Sequence, residues 1–97
     1  MRIIARRTLL EFWEKHRDAE QPLRAWYYDA KKADWRSPAD IKRVYANASI
    51  VGENRVVFNI KGNRYRLVVA NNYPHRISYI RFVGTHQEYD RIDVTTV

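Results

Sequence analysis

A chain of 97 residues and 11.7 kDa has material for one hydrophobic core and not for a second, so a single domain over residues 1–97 is expected. Hydrophobic residues make up 45% and aromatics 13%, while cysteine is absent, which excludes disulfides, thiolate metal sites and thiol nucleophiles together. The formal charge of +7, from 18 Lys and Arg against 11 Asp and Glu, points to an anionic partner: nucleic acid, an acidic protein or a membrane surface.

No apolar run approaches the roughly 20 residues of a membrane-spanning helix. The segment Met1-Arg2-Ile3-Ile4-Ala5-Arg6-Arg7 is broken by charge too early for a secretory signal. A soluble, cytoplasmic protein is therefore expected. The cations are scattered through patterned segments, so any basic surface has to be assembled by folding.

In chain order, Leu9, Leu10, Phe12 and Trp13 recur at near-helical spacing and predict a first helix from Arg6 to Arg17. Pro22 suits the first position of a second helix, whose face is marked by Leu23, Trp26, Tyr27, Ala30 and Ala33. The two form an αα-hairpin with an aromatic stripe, and Trp13 and Trp26 are expected in the core. Ser37-Pro38-Ala39-Asp40 reads as an N-cap, a proline at the first helical position and an acid at the third, predicting a short third helix to about Tyr45.

Beyond Ala48 the pattern turns β-branched and aromatic, predicting strands over Ser49 to Val51, Arg55 to Ile60, Tyr65 to Asn71 and Ile77 to Val83. Short turns with Gly, Asn and Pro separate them, which favours an antiparallel meander of three to four strands. The fold class is thus α+β, with helices packed on an antiparallel sheet. Thr85 and Glu88 form a Thr-x-x-Glu capping box, so a helical turn is expected from His86 to about Arg91, with His86 and Tyr89 on one face and Asp90 four residues from His86. Ile92 to Val97 either adds an edge strand or frays.

Strand alternation puts Arg64 and Arg66 on one face, opposite Tyr65 and Leu67. Two guanidinium groups there can chelate phosphate oxygens, or can be solvated charges paired with Glu53 or Asp93. Lys61, at the start of a tight turn, swings over the same face or hangs in water. Arg81 alternates onto the side of Ile77, Tyr79 and Val83, where it binds a phosphate or pairs with an acid under the helices.

His86 is either a structural histidine or an imidazole exchanging protons near neutrality, as general acid or base catalysis on RNA requires. His86 and Asp90 have the spacing of two metal ligands, yet His16 and His75 lie in other elements, and no metal-binding motif or phosphate-cradling glycine loop is present. Chemistry without metal or cofactor is the simpler expectation. RNA permits it, because its 2′-hydroxyl can attack the adjacent phosphate and expel the 5′-oxygen. Each donor aimed at developing charge contributes roughly 3 to 4 kcal/mol.

The order of elements, with the strings Phe58-Asn59-Ile60-Lys61-Gly62-Asn63-Arg64-Tyr65-Arg66-Leu67, Tyr79-Ile80-Arg81-Phe82-Val83 and Gly84-Thr85-His86-Gln87-Glu88-Tyr89-Asp90, resembles HigB-type toxins of bacterial toxin-antitoxin pairs, within the wider RelE-like group. The resemblance implies a small α+β toxin that enters the ribosome and cleaves mRNA during translation. It also implies a helix-turn-helix, HigA-like antitoxin that neutralises the toxin, with the pair binding its own operator DNA.

Position by position, the resemblance gives Arg66 the stabilisation of the phosphorane and Lys61 substrate binding or charge stabilisation. His86 falls where RelE relatives carry an arginine linked to leaving-group protonation, and Tyr89 falls close to a tyrosine that serves or assists as base. Asp90 orients His86. Asn59 stands where relatives can have a lysine, and with Arg64 and Arg81 completes the expected substrate-contacting set. Two alternatives are a ParE-like inhibitor of DNA gyrase and a non-catalytic RNA- or DNA-binding module.

Overall fold

The computed structural model describes residues 1–97 throughout. A first strand, β1 (Arg2–Ile4), leads into α1 (Arg6–Lys15), a 3-10 turn (Arg17–Ala19), α2 (Glu20–Lys32) and α3 (Pro38–Val44). Four strands follow, β2 (Ser49–Val51), β3 (Arg55–Ile60), β4 (Tyr65–Asn72) and β5 (Ile77–Thr85), and β5 runs straight into α4 (His86–Tyr89). They form a five-stranded sheet in the order β1-β5-β4-β3-β2.

The meander β2 to β5 is antiparallel, as the short turns dictate. The sheet has one strand more than expected, because Arg2–Ile4 adds to the outer edge of β5 in parallel register. A three-residue parallel strand has no local signature. Its pairing is set by the helical hairpin, which returns the chain across the sheet. The amino group of Met1 fastens this corner, donating to the carbonyls of Ala30 at 2.9 Å and Lys31 at 3.2 Å at the end of α2.

One face of the sheet, built from Val56, Phe58, Ile60, Tyr65, Leu67, Val69 and Ile80, packs under the helices. The helices answer with Leu9 and Trp13 from α1, Leu23, Trp26 and Ala30 from α2, and Ile41 from α3, all buried. The ring of Trp26 meets that of Phe58 edge-on at 5.4 Å, so the predicted aromatic stripe is the seam between the layers. α2 begins at Glu20, two residues before the expected proline start. Ser37 caps α3 by position, but Asp40 supplies the bond, accepting from the backbone N–H of Arg36 at 2.9 Å.

The other face carries Val57, Val68 and Ala70, also buried although no hairpin helix lies over them. The chain beyond α4 crosses this side: Arg55 Nη2 donates to the carbonyl of Val97 at 2.7 Å. Residues 92–97 therefore form turns and not an edge strand. Between Val68 and Val69 the register with β5 slips, from Val68 opposite Phe82 to Val69 opposite Ile80, which leaves Arg81 in a bulge.

Candidate active site

Cross-strand register assembles the first part of the site. Asn59 of β3, Arg66 of β4 and Gly84 of β5 are direct partners in one row across the helix-free face. Gly84 brings no side chain to that row, and the space is already taken: a Cβ there would lie 2.5 Å from Cζ of Phe82 and 3.0 Å from Oε1 of Glu88.

Arg66 is only 8% exposed. Its Nη1 donates to the carbonyls of Asn63 at 2.9 Å and Tyr65 at 3.3 Å, and its Nη2 to Oδ1 of Asn63 at 2.9 Å. These partners are neutral, and no carboxylate pairs with the guanidinium. A buried cation without a counter-charge attracts an anion more strongly than a solvated one, because little water screens it. Its Cζ lies 6.0 Å from the ring centroid of Tyr89, so the strand and the last helical turn meet here.

The turn that supplies Asn63 has Lys61 and Gly62 at φ of 56° and 64°. The left-handed conformation is free for glycine and tolerated by lysine only where its neighbours fix the turn. Lys61 is exposed there, beside Asn63.

α4 is held in place at its N-terminus. The backbone N–H of His86 donates to the carbonyl of Arg64 at 3.2 Å. The predicted capping box is present: Glu88 Oε1 accepts from the Thr85 N–H at 2.8 Å, and Thr85 Oγ1 accepts from the Glu88 N–H at 3.1 Å. The Thr85 N–H is the main reason that the Glu88 carboxyl sits below the usual range. With the turn fixed, His86 Nδ1 comes 3.2 Å from Asp90 Oδ2, the contact expected from the i, i+4 spacing. Such a carboxylate fixes which ring nitrogen carries the proton and which way the ring faces.

On the helix side of the same corner, Tyr65 donates its hydroxyl hydrogen to Asp18 Oδ1 at 2.5 Å, and Arg64 Nη1 stands 3.4 Å from Asp18 Oδ2. The Tyr65 bond holds the Asp18 carboxyl below its ordinary range, and the Asp18 carboxylate pushes the Tyr65 phenol up. A cleft of about 450 Å³ opens beside this group, lined by His16, Arg64, Tyr65, Thr85, His86 and Gln87. His16, the residue that ends α1, stacks on Phe12 with ring centroids 4.4 Å apart and meets Tyr65 edge-on at 5.4 Å.

Where β4 begins and β5 ends, Asn59 pairs with Arg66 across the ladder, Arg66 meets Tyr89, His86 meets Asp90 and is bonded through its backbone to Arg64, and Lys61 lies in the adjoining turn. Two placements differ from the sequence expectation. Arg64 lies in the turn before β4 and not in the ladder, so alternation with Arg66 does not apply; its guanidinium goes to Asp18 and the helix side, while Arg66 stays on the open face. Arg81, shifted by the bulge, is exposed, with its guanidinium 5.4 Å from the Tyr79 ring centroid. It faces a cavity of about 470 Å³ at the far end of the sheet, lined also by Asn54, Asn71 and Asn72. Glu53, Tyr73 and Tyr79 also line it, and no histidine does.

The residue missed in the sequence is His16. It sits 70 positions from His86, and no local spacing connects them. The only signal was its place at the end of a helix, before the turn Arg17-Asp18-Ala19.

A helical hairpin over one face of a small antiparallel sheet, with cations and an imidazole collected where the last strand enters a helical turn, is the RelE-like arrangement. The chain belongs to the HigB toxin family: residues 19–92 match HigB_toxin, the RelE-like toxic component of a toxin-antitoxin system. It is also similar to the mRNA interferase toxin HigB of Escherichia coli strain K12, with 29% identity over 92 residues, covering 93% of this chain and 88% of that one. The mRNA interferases HigB of Escherichia coli O157:H7 and of Shigella flexneri show the same identity and coverage. Membership of a toxin-antitoxin family implies an antitoxin as partner. No helix is long and apolar enough to cross a membrane.

Proposed function

We propose that this protein is the toxin of a toxin-antitoxin pair and acts in the cytoplasm as a ribosome-dependent mRNA endonuclease that needs no metal. The observation that carries the reading is Arg66: a buried guanidinium without a carboxylate partner, at the corner where His86 is oriented by Asp90. The names of its relatives, mRNA interferases, support the same activity.

In this reading the 2′-oxygen of a ribose attacks the adjacent phosphorus. Arg66, with Lys61 at the neighbouring turn, neutralises the phosphorane, and Arg64 and Asn59 contact the strand on either side. His86 moves one proton, its ring held by Asp90, while Tyr89 packs against Arg66 and is a candidate for the second. Stabilising charge that appears only in the transition state is the largest lever open to such a site. DNA lacks the attacking hydroxyl and is spared. The antitoxin is a HigA-like helix-turn-helix protein, and the pair binds operator DNA.

Brief induction in cells tests this. Loss of translation with transcripts cut in frame with codons is expected. DNA damage with intact messages would instead indicate a gyrase inhibitor, and neither effect, with binding that weakens steeply in salt, a non-catalytic module.

A further inference from the structure

His16 and His86 come from opposite ends of the chain, yet they border one cleft of about 450 Å³ whose wall also holds Arg64. His16 is not a loose surface ring. Stacking on Phe12 and the edge contact to Tyr65 fix its plane, and Tyr65 is itself anchored by its bond to Asp18. His86 has a carboxylate at 3.2 Å, whereas no carboxylate pairs with His16. Cleavage by 2′-hydroxyl attack moves two protons, and two imidazoles lining one cavity, with Arg64 in the same wall, meet that requirement.

We propose that His16 is the second proton carrier of the cleavage reaction, a general base working across the cleft from His86; the assignment rests on the nuclease reading above. The O2′–P bond forms while the P–O5′ bond breaks. The proton leaving the 2′-hydroxyl goes to the neutral ring of His16, and the imidazolium of His86, with Asp90 as counter-charge, protonates the departing 5′-oxygen. The products carry a 2′,3′-cyclic phosphate and a 5′-hydroxyl, and exchange with water restores both rings. The charged and titratable groups around His16 are Glu11 and Lys15 on α1, Glu88 and His86 on α4, and Asp18, Arg64 and Tyr65, which are joined to one another. The Tyr89 phenol, the other candidate base, stands with Arg66.

The test is the pH dependence of single-turnover cleavage on purified ribosomes programmed with a defined message, for the wild type, His16→Gln, His16→Asn, His86→Gln and Tyr89→Phe, with His75→Gln in the exposed β4–β5 turn as the unchanged control. The wild type is expected to show a bell between about pH 5 and 8. Replacing His16 should lower the rate about 100-fold and abolish the acidic limb, with the melting temperature nearly unchanged. His86→Gln should abolish the alkaline limb, and Tyr89→Phe should keep both. A His16 variant with an intact bell overturns the assignment and leaves the nuclease reading standing. So does a wild-type profile with a single ionisation, a measurement that needs no variant to fold. A wild type that cuts no message under any condition overturns both.

Discussion

The guanidinium carbon of Arg66 lies 6.0 Å from the ring centroid of Tyr89, which joins the row Asn59, Arg66 and Gly84 of the sheet to the last helical turn. The arginine gives three hydrogen bonds to neutral oxygens and still has its charge to offer.

Replacing Arg66 by Lys keeps that charge and loses the fork held by Asn63. Cleavage should fall about tenfold or more, as expected for charge-assisted bonds of about 1.5–3 kcal/mol. Arg66→Ala should cost about 100- to 1000-fold. Truncation also leaves the Asn63 and Tyr65 carbonyls short of a donor, destabilising the fold by about 1–3 kcal/mol. Cleavage rates beside thermal unfolding separate the two effects.

Much of this corner was legible before folding, and the reasons are local. The capping box from Thr85 to Glu88 and the His86–Asp90 spacing are set by helical geometry over a few residues, and both contacts form. The strands could be read because Gly62, Asn63 and Pro74 punctuate them. What escaped was set by distant partners: the parallel docking of Arg2–Ile4 on β5, the pairing of Arg64 with Asp18, and the stacking that carries His16 to the cleft. Strand alternation keeps Arg81 with Tyr79, as expected, but breaks between Arg81 and Val83, because a bulge carries no fixed sequence mark.

The cap should control activity through position. Thr85→Ala removes the oxygen that accepts from the Glu88 N–H and should loosen α4 by about 1 kcal/mol, measured as faster amide exchange over His86–Tyr89. Because the Glu88 carboxyl is held below its ordinary value, its support for α4 is full above about pH 4.3 and is lost as pH falls through the lower folded value. Exchange in the wild type should accelerate toward acid, and in Glu88→Gln it should do so much less.

Gly84→Ala should damage catalysis more than folding. The new Cβ would meet the tip of the Phe82 ring and the Glu88 carboxylate, displacing both. A loss of about 1–3 kcal/mol is expected from overpacking, read as a lower melting temperature, together with a fall in cleavage because Glu88 holds α4.

The bond from Tyr65 to Asp18 gives a pH window of opposite signs at its two ends. The Asp18 carboxyl is lowered, chiefly by that bond, so its contribution is full above about pH 3.9 and is lost as pH falls through the folded value. The Tyr65 phenol is raised, so its contribution is full below about pH 10 and is lost as pH rises through the folded value. The melting temperature of Tyr65→Phe should lie below that of the wild type throughout the middle of this range, with the gap closing at both extremes.

The proposed cleavage requires a cation of the sheet and an imidazole of the last helical turn to serve one scissile phosphate. Its most direct measurement is cleavage of a defined message on purified ribosomes by the wild type, Arg66→Ala and His86→Ala, with unfolding followed for each. The wild type should cut the message and leave a 2′,3′-cyclic phosphate at the new end, and each variant whose fold persists should lose at least about 100-fold. Full cleavage by both variants would contradict that requirement.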